Sequence, residues 1–255
     1  MPLRSFTAAG AVAVVGLAMT AALPSNAQTE VTWATEGTYA PWSETDPNGA
    51  LVGFDIELVE LVCAHLGYTC TIERMTWPAM MHAVADGEVD AFISGIAITA
   101  EREVLVDFTR PYMQLAVSFA VGAGSDLADG NPSTVDEVAA QLDGATIGVQ
   151  GSTVNGILAA GLIPGASLVD FDSTDALTVA VANGDVDAGL AAAPSWTWST
   201  VVAPEQLVLF GPQLTSDDYS VLGRGLGIGV NEDADTLKIA LDDALCDLED
   251  AGAIQ

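Results

Sequence analysis

Short apolar runs typical of buried strands alternate along this chain with longer runs typical of helices. In the first part of the chain, the runs predict strands at 29–34, 69–75 and 90–96 and helices at 53–66 and 77–85. After a long strand at 113–121 and a loop at 122–131, they predict helices at 135–142, 153–160 and 176–183 and strands at 145–150, 168–171 and 188–191. This alternation indicates an α/β protein with helices on both faces of its sheets. Because the alternation is repeated, we expect two similar lobes with a cleft between them.

The segment 90–102 joins an apolar strand to a turn and then to an arginine. The turn contains small residues that would let a ligand approach the backbone: Ser94, Gly95 and Ala97. Thr99 can cap a helix that contains Arg102, so the segment favours a carboxylate site. The chain has only six lysines and arginines. The alternative is a solvated Arg102 that pairs with Glu101 or Glu103.

The first 27 residues have the features of a cleavable export signal. Arg4 supplies a basic start, residues 8–22 are apolar, and 25–27 form a small-x-small cleavage site. A retained membrane anchor is the alternative, although the apolar stretch is short for a span of about 20 residues. We therefore expect a soluble protein in the periplasm.

The chain is strongly acidic, with a formal net charge of -29, and every acidic residue lies after Ala27. Such a surface repels nucleic acid and anionic membranes, so no nucleic-acid partner is expected. Half of the residues are hydrophobic, which indicates a folded protein rather than a disordered one.

We expect added salt to raise the thermal stability of this protein. Salt screens the repulsion between like charges, which otherwise destabilises a compact acidic chain. Thermal melts from low salt to molar NaCl test this, and a melting temperature that stays flat or falls contradicts it.

Several motifs occur along the chain in a distinctive order. They are GFDIEL (53–58), WPAMM (77–81), DAFISGIAITAER (90–102), VDFTRPY (106–112), GATIGVQGST (144–153), GDVDA (184–188) and GIGVN (227–231). In number and order they resemble the polar amino-acid family of periplasmic solute-binding proteins. The segments ATEGTYAPW (34–42) and GVQGST (148–153) are most similar to the histidine-, arginine- and opine-binding branch.

The resemblance implies an α/β two-lobe fold of the type II periplasmic-binding class. Residues 28–113 and 224–255 would form lobe 1, and residues 114–223 would form lobe 2. It also implies a monomer without a cofactor or enzymatic activity, which delivers a small solute to a membrane ABC permease. The family usually continues into one more helix after the point where this chain ends, and both a naturally short chain and a truncated sequence remain open.

The chain has three cysteines. Cys63 and Cys70 flank a helix end and a turn, and the loop between them is short enough to close. The histidine-binding branch carries a disulfide at matching positions, so we favour a Cys63–Cys70 bond over two buried thiols. Cys246 is expected to pack as a small hydrophobe in the last helix.

By resemblance, both lobes hold the ligand's carboxylate. The matching residues are Ser94, Gly95, Ala97 and Arg102 in lobe 1 and Ser152 and Thr153 in lobe 2. Contact from both sides would couple binding to closure. Taken alone, the turn at 151–153 reads as an ordinary helix cap.

The resemblance also implies which residues surround the rest of the ligand. Tyr39, Trp42 and Trp77 match aromatic positions of the wall, although each could instead be core packing. Glu36 matches an acidic position in members that bind histidine, lysine, arginine or opines, so a cationic ligand group is expected. Taken alone, Glu36 could equally be a surface residue.

One departure from the family concerns the ligand's amino group. Where members place an aspartate, or an asparagine in some opine binders, this chain has Ala192. An alanine cannot pair with an ammonium, and burial of that charge unpaired costs several kcal/mol. Either a neighbour such as Ser195 substitutes, or the ligand lacks a free primary α-ammonium.

Two other functions remain as alternatives. The first is a periplasmic enzyme on the same fold, similar to cyclohexadienyl dehydratase, and the second is a partner that presents its ligand to a membrane receptor. An enzyme would need an acid or base in the cleft. The two histidines, His65 and His82, lie instead on predicted helices away from the ligand-matching positions. The sequence contains no metal-ligand cluster, activated nucleophile or phosphate loop.

Overall fold

The computed structural model describes residues 28–198 and 206–254. Its first sheet contains β1 (Glu30–Thr35), β5 (Thr69–Arg74), β6 (Ala91–Phe92), β7 (Asp107–Phe108) and β13 (Gly229–Val230). The strand order is β5-β1-β6-β13-β7. β5 and β6 run parallel to β1, whereas β13 is antiparallel to both of its neighbours.

Helices cover both faces of this sheet: α1 (Phe54–Leu66), α2 (Trp77–Ala85) and α7 (Asp235–Asp250). Trp33 of β1 packs in one cluster with apolar residues of α1 and α7. The next residue, Ala34, packs in another cluster with residues of α2. Successive residues of a strand point to opposite faces, so a strand buried on both faces is apolar at consecutive positions.

The second sheet contains β8 (Ala116–Gly122), β9 (Thr146–Gln150), β10 (Ser167–Phe171), β11 (Ala188–Ala192) and β12 (Leu207–Thr215). Its order is β10-β9-β11-β8-β12. Helices α3 (Val135–Gln141) and α4 (Val154–Leu162) pack in one hydrophobic cluster with Phe119 of β8. Helix α5 (Thr174–Asn183) packs in another cluster with the next residue, Ala120, so helices cover both faces of this sheet as well. A short helix, α6 (Ser195–Trp198), follows β11. The predicted α/β class with two lobes is confirmed.

The strands of the first sheet come from residues 30–108 and 229–230, and those of the second come from residues 116–215. The predicted lobe limits at 113/114 and 223/224 stay a prediction. The predicted export signal at 1–27 lies outside the described residues. Among the helices that are described, none is long and apolar enough to cross a bilayer.

A third, small sheet was not predicted. It contains β2 (Thr38–Tyr39), β3 (Ser43–Thr45) and β4 (Leu51–Val52) in that order. The Gly37 amide donates to Ser43 Oγ at 3.0 Å, and Thr45 Oγ1 donates to the Gly37 carbonyl at 2.9 Å. This sheet fixes the chain between β1 and α1, which carries Glu36 and Tyr39 into the cleft.

Three predicted elements differ from the structure. The strand predicted at 90–96 is limited to β6, because the chain turns at Gly95 with a positive φ of 57°. The helix predicted after Thr99 is a single 3₁₀ turn, Arg102–Val104. The long strand predicted at 113–121 begins only at Ala116, since Met113 pairs instead with Leu226 in an isolated bridge.

The predicted Cys63–Cys70 disulfide is confirmed. The prediction for Cys246 is wrong, because its thiol is free and exposed. The buried residues of α7 are Leu241, Ala244, Leu245 and Leu248. Cys246 therefore lies on the opposite face of this amphipathic helix.

Candidate ligand-binding cleft

A cavity lies where the carboxyl ends of β1, β6 and β9 meet, between the two sheets. In open α/β sheets, ligands bind at this edge. Residues that line it from the first part of the chain are Glu36, Tyr39, Trp77, Ser94, Gly95, Ile96, Ala97, Arg102 and Leu115. Residues that line it from the second lobe are Gln150, Thr153, Val154 and Asn155. The cavity measures about 40 Å³.

Arg102 is buried at the floor of the cleft and is only 8% exposed. Its guanidinium donates to the Ala97 carbonyl at 2.8 Å and lies 4.8 Å from the centroid of the Trp77 ring. Burial lowers the pKa of Arg102 to about 10, so it stays charged at neutral pH. Within the described residues, no carboxylate lies within ion-pair distance of it.

The alternative of a solvated, surface-paired Arg102 is therefore wrong. Glu103 pairs instead with Arg224. A buried guanidinium with unused N–H groups is suited to a carboxylate, which it can bind through two parallel hydrogen bonds.

The turn that follows β6 is held from behind by Asp55 of α1. Asp55 Oδ2 accepts a hydrogen bond from the Gly95 amide at 2.6 Å, and its Oδ1 accepts one from the Tyr112 hydroxyl at 2.9 Å. Burial raises the pKa of Asp55 to about 7, although these two hydrogen bonds oppose the shift. The Gly95 amide is thus already hydrogen-bonded within the protein. Asp55 belongs to the GFDIEL motif, but its supporting role was not predicted from the sequence.

Glu36 is 5% exposed and forms a direct contact between the lobes. Its Oε1 accepts hydrogen bonds from Gln150 Nε2 at 2.7 Å and from Thr38 Oγ1 at 3.1 Å. Gln150 Oε1 in turn accepts from Thr174 Oγ1 at 3.0 Å, which fixes the orientation of the amide. Burial raises the pKa of Glu36 to about 7, and the two hydrogen bonds and nearby Arg74 only partly offset it.

A second contact between the lobes involves the turn before α4. Ser152 has a positive φ of 60°, and its carbonyl accepts a hydrogen bond from Trp77 Nε1 at 3.1 Å. Thr153 Oγ1 donates to the Gln150 carbonyl at 2.7 Å, and this side chain accepts no capping hydrogen bond from α4. The backbone amides at the start of α4 point toward the cleft end of the helix, where an anion is favoured.

Residues 31–255 match the family model described as bacterial extracellular solute-binding proteins, family 3. The chain belongs to this family. It is similar to the octopine-binding periplasmic protein of Rhizobium meliloti, with 29% identity over 82% of this chain and 75% of that protein. It is also similar to the L-arginine-binding protein of Pseudomonas aeruginosa, with 29% identity over 77% and 74% of the two chains.

Solved structures show the same fold. An arginine transport system periplasmic binding protein from Legionella pneumophila superposes with a TM-score of 0.77 at 24% identity, over 89% of this chain and 96% of that one. The two sheets of this solute-binding protein are thus the two lobes of the type II periplasmic-binding fold. The predicted resemblance to the polar amino-acid family is confirmed.

In this solute-binding protein, most residues predicted at the site line the cleft. These are Glu36, Tyr39, Trp77, Ser94, Gly95, Ala97, Arg102 and Thr153. Their role in ligand binding stays a prediction. Ser94 also supports the loop that carries Glu36, because its Oγ accepts from the Glu36 amide at 3.4 Å and lies 3.2 Å from Ser43 Oγ.

Three predicted site residues do not line this cavity: Trp42, Ser152 and Ala192. Trp42 is buried behind the turn, where its ring lies against Gly95. Ser152 lines a neighbouring cavity on the other side of its bond with Trp77. Ala192 pairs with Val117 inside the second sheet and is fully buried in the core.

Five residues that line the cleft were not predicted from the sequence: Ile96, Leu115, Gln150, Val154 and Asn155. Two of these carried a detectable signal. Gln150 is a polar residue at the end of β9, directly after three non-polar residues and just before the turn of small residues. Asn155 is a polar residue in the first turn of a helix whose other residues are apolar or glycine.

Proposed function

We propose that this protein captures a small solute that carries both a carboxylate and a separate cationic group, and delivers it to the permease of an ABC importer. The observation that carries this proposal is the pair of oppositely charged residues, Arg102 and Glu36, buried in one cleft between two closing lobes. Among the described residues that line the cleft, they are the charged ones. A ligand with complementary ends would satisfy both.

The relatives support a nitrogen-rich ligand. Their names record binding of octopine and of L-arginine, both of which combine carboxylate and guanidinium groups. In the proposed complex, Arg102 and the start of α4 hold the carboxylate. Glu36 holds the cationic end, beside the rings of Tyr39 and Trp77.

Periplasmic location and action as a monomer belong to the same proposal. Location follows from the export signal predicted at 1–27 and from the periplasmic relatives. The relatives' names describe binding proteins, which favours binding over the dehydratase alternative. The receptor-partner alternative uses the same cleft and differs only in the membrane protein that recognises the closed form.

Isothermal titration of the purified protein with a small panel of solutes tests the proposal. Arginine and octopine carry the proposed pair of groups, and histidine carries it when its imidazole is protonated, whereas the side chain of glutamate is anionic. We expect saturable binding of at least one member of the first group and none of glutamate. Binding of glutamate alone, or of no cationic member, would overturn the proposal.

Glu36 makes the binding of a cationic solute dependent on pH. Its pKa is raised to about 7, so the carboxylate is largely protonated at pH 6 and largely ionised at pH 8. Only the ionised form attracts a cation, so we expect affinity for arginine to rise about tenfold between pH 6 and pH 8. Titrations in matched buffers measure this.

Glu36→Gln provides the control for that prediction. The variant keeps the shape of the side chain but does not titrate, so its affinity for arginine should be lower at pH 8 and nearly independent of pH. An unchanged pH profile in Glu36→Gln would assign the effect to another group.

A further inference from the structure

A buried amide oxygen at the start of α4, Oδ1 of Asn155, has no hydrogen-bond partner in the described part of the chain. Asn155 is 8% exposed and lines the cleft, yet its Oδ1 bonds to nothing among the described residues. A buried acceptor left unpaired destabilises the folded chain. Unpaired groups of this kind are uncommon in folded proteins and need an explanation.

The position of Asn155 distinguishes it from the other unpaired groups. Buried side-chain atoms without a partner also occur on Trp33, Thr35, Trp42, Ser118, Ser125 and Ser195. None of those six residues lines the cleft, whereas Asn155 does. Ser195, the expected substitute for Ala192, is fully buried and lies outside the cavity.

We infer that Asn155 is the contact of the second lobe for the ligand's amino group, in place of the carboxylate that Ala192 cannot supply. This inference rests on the proposed function, since it concerns the same ligand. The amide oxygen accepts an N–H from the ligand when the lobes close, and rotation of the amide about its terminal torsion aims the oxygen at the cavity.

A neutral amide has a specific consequence for the class of ligand. An amide accepts a hydrogen bond from an ammonium but does not neutralise its charge, so it favours that group less than a carboxylate does. It also accepts equally well from a substituted amino nitrogen. The site therefore selects strongly for the two charged ends of the ligand and only weakly for a primary α-ammonium.

Two probes and two variants test this inference. The probes are arginine and 5-guanidinopentanoate, which is arginine without its α-amino group. We expect the unmodified protein to prefer arginine by no more than about tenfold. Asn155→Leu should remove this preference, and Asn155→Asp should increase it at least tenfold, because an aspartate pairs with the ammonium. Asn48→Leu, on an exposed loop outside the set of residues that line the cleft, is the control and should leave the preference between the two probes unchanged.

Thermal stability separates this role from a structural one. Replacement of an unpaired buried amide by leucine should leave the melting temperature of the ligand-free protein unchanged or raise it. A fall in melting temperature with an unchanged preference between the probes would overturn the inference, as would equal losses of both probes in Asn155→Leu. If the unmodified protein binds neither probe nor any panel member, the proposed function itself fails.

Discussion

Substitution of Arg102 by methionine is expected to abolish ligand binding while leaving the ligand-free protein folded. Removal of one partner of a buried, hydrogen-bonded charge pair costs about 2–5 kcal/mol, which raises the Kd by roughly 30-fold to several thousandfold. Arg102 has no carboxylate partner among the described residues. Removal of its charge lowers the cost of burial, whereas loss of the hydrogen bond to the Ala97 carbonyl costs about 1 kcal/mol, so the melting temperature of the ligand-free protein should change little. Isothermal titration with arginine and a thermal melt measure the two effects.

Two further variants make this result specific. Arg102→Lys keeps the charge but loses the planar pair of donors, so it should recover only part of the affinity. Arg224→Met removes an arginine that is exposed and paired with Glu103, and it should bind normally. Stabilisation of Arg102→Met by arginine as large as in the unmodified protein would show that the carboxylate lies elsewhere.

Substitution of Gly95 by alanine is expected to damage both the fold and the site. The residue has a φ of 57°, and a Cβ there would lie 2.9 Å from ring atoms of Trp42 and Tyr39. Left-handed strain costs about 1–3 kcal/mol and overpacking a similar amount, so we expect a loss of about 2–5 kcal/mol in the free energy of unfolding. Binding should weaken at least tenfold, because displaced rings would move the loop that carries Glu36.

Denaturant unfolding of Gly95→Ala and of a matched variant tests this prediction. A Cβ added at Gly124 meets nothing within 4 Å, so Gly124→Ala should unfold and bind as the unmodified protein does. If Gly95→Ala retains full stability, the turn is not held by Trp42 and Tyr39 in the way described.

Most long periodic elements were predictable from the sequence, whereas the strand β12 and the short irregular elements were not predicted. The helix α2 begins and ends at the predicted residues, because Pro78 and a run of apolar residues define it locally. By contrast, β6 has only two residues, and its extent depends on neighbours that are distant in the sequence. The small sheet β2-β3-β4 was overlooked for the same reason, since its strands have two or three residues each.

The candidate site divides in a similar way. Arg102 was identified because basic residues are rare in this chain and because it follows a turn of small residues. Asp55 was overlooked because a carboxylate that supports a turn from behind becomes visible only when α1 and that turn are packed together. Trp42 shows the opposite error, since its aromatic ring could belong to a ligand wall or to the core until the packing around Gly95 was known.

The hydrogen bonds from Gln150 to Glu36 and from Trp77 to Ser152 connect the two lobes directly. Each such bond contributes about 1 kcal/mol, so together they shift the equilibrium between open and closed forms toward closed by roughly 30-fold. A cationic solute that binds Glu36 replaces the hydrogen bond from Gln150. Its net contribution is therefore only the difference between the free energies of the two contacts. Part of the stability of the closed shape therefore comes from the protein's own contacts, so this shape depends less strictly on the ligand than in a protein whose lobes meet only through the ligand.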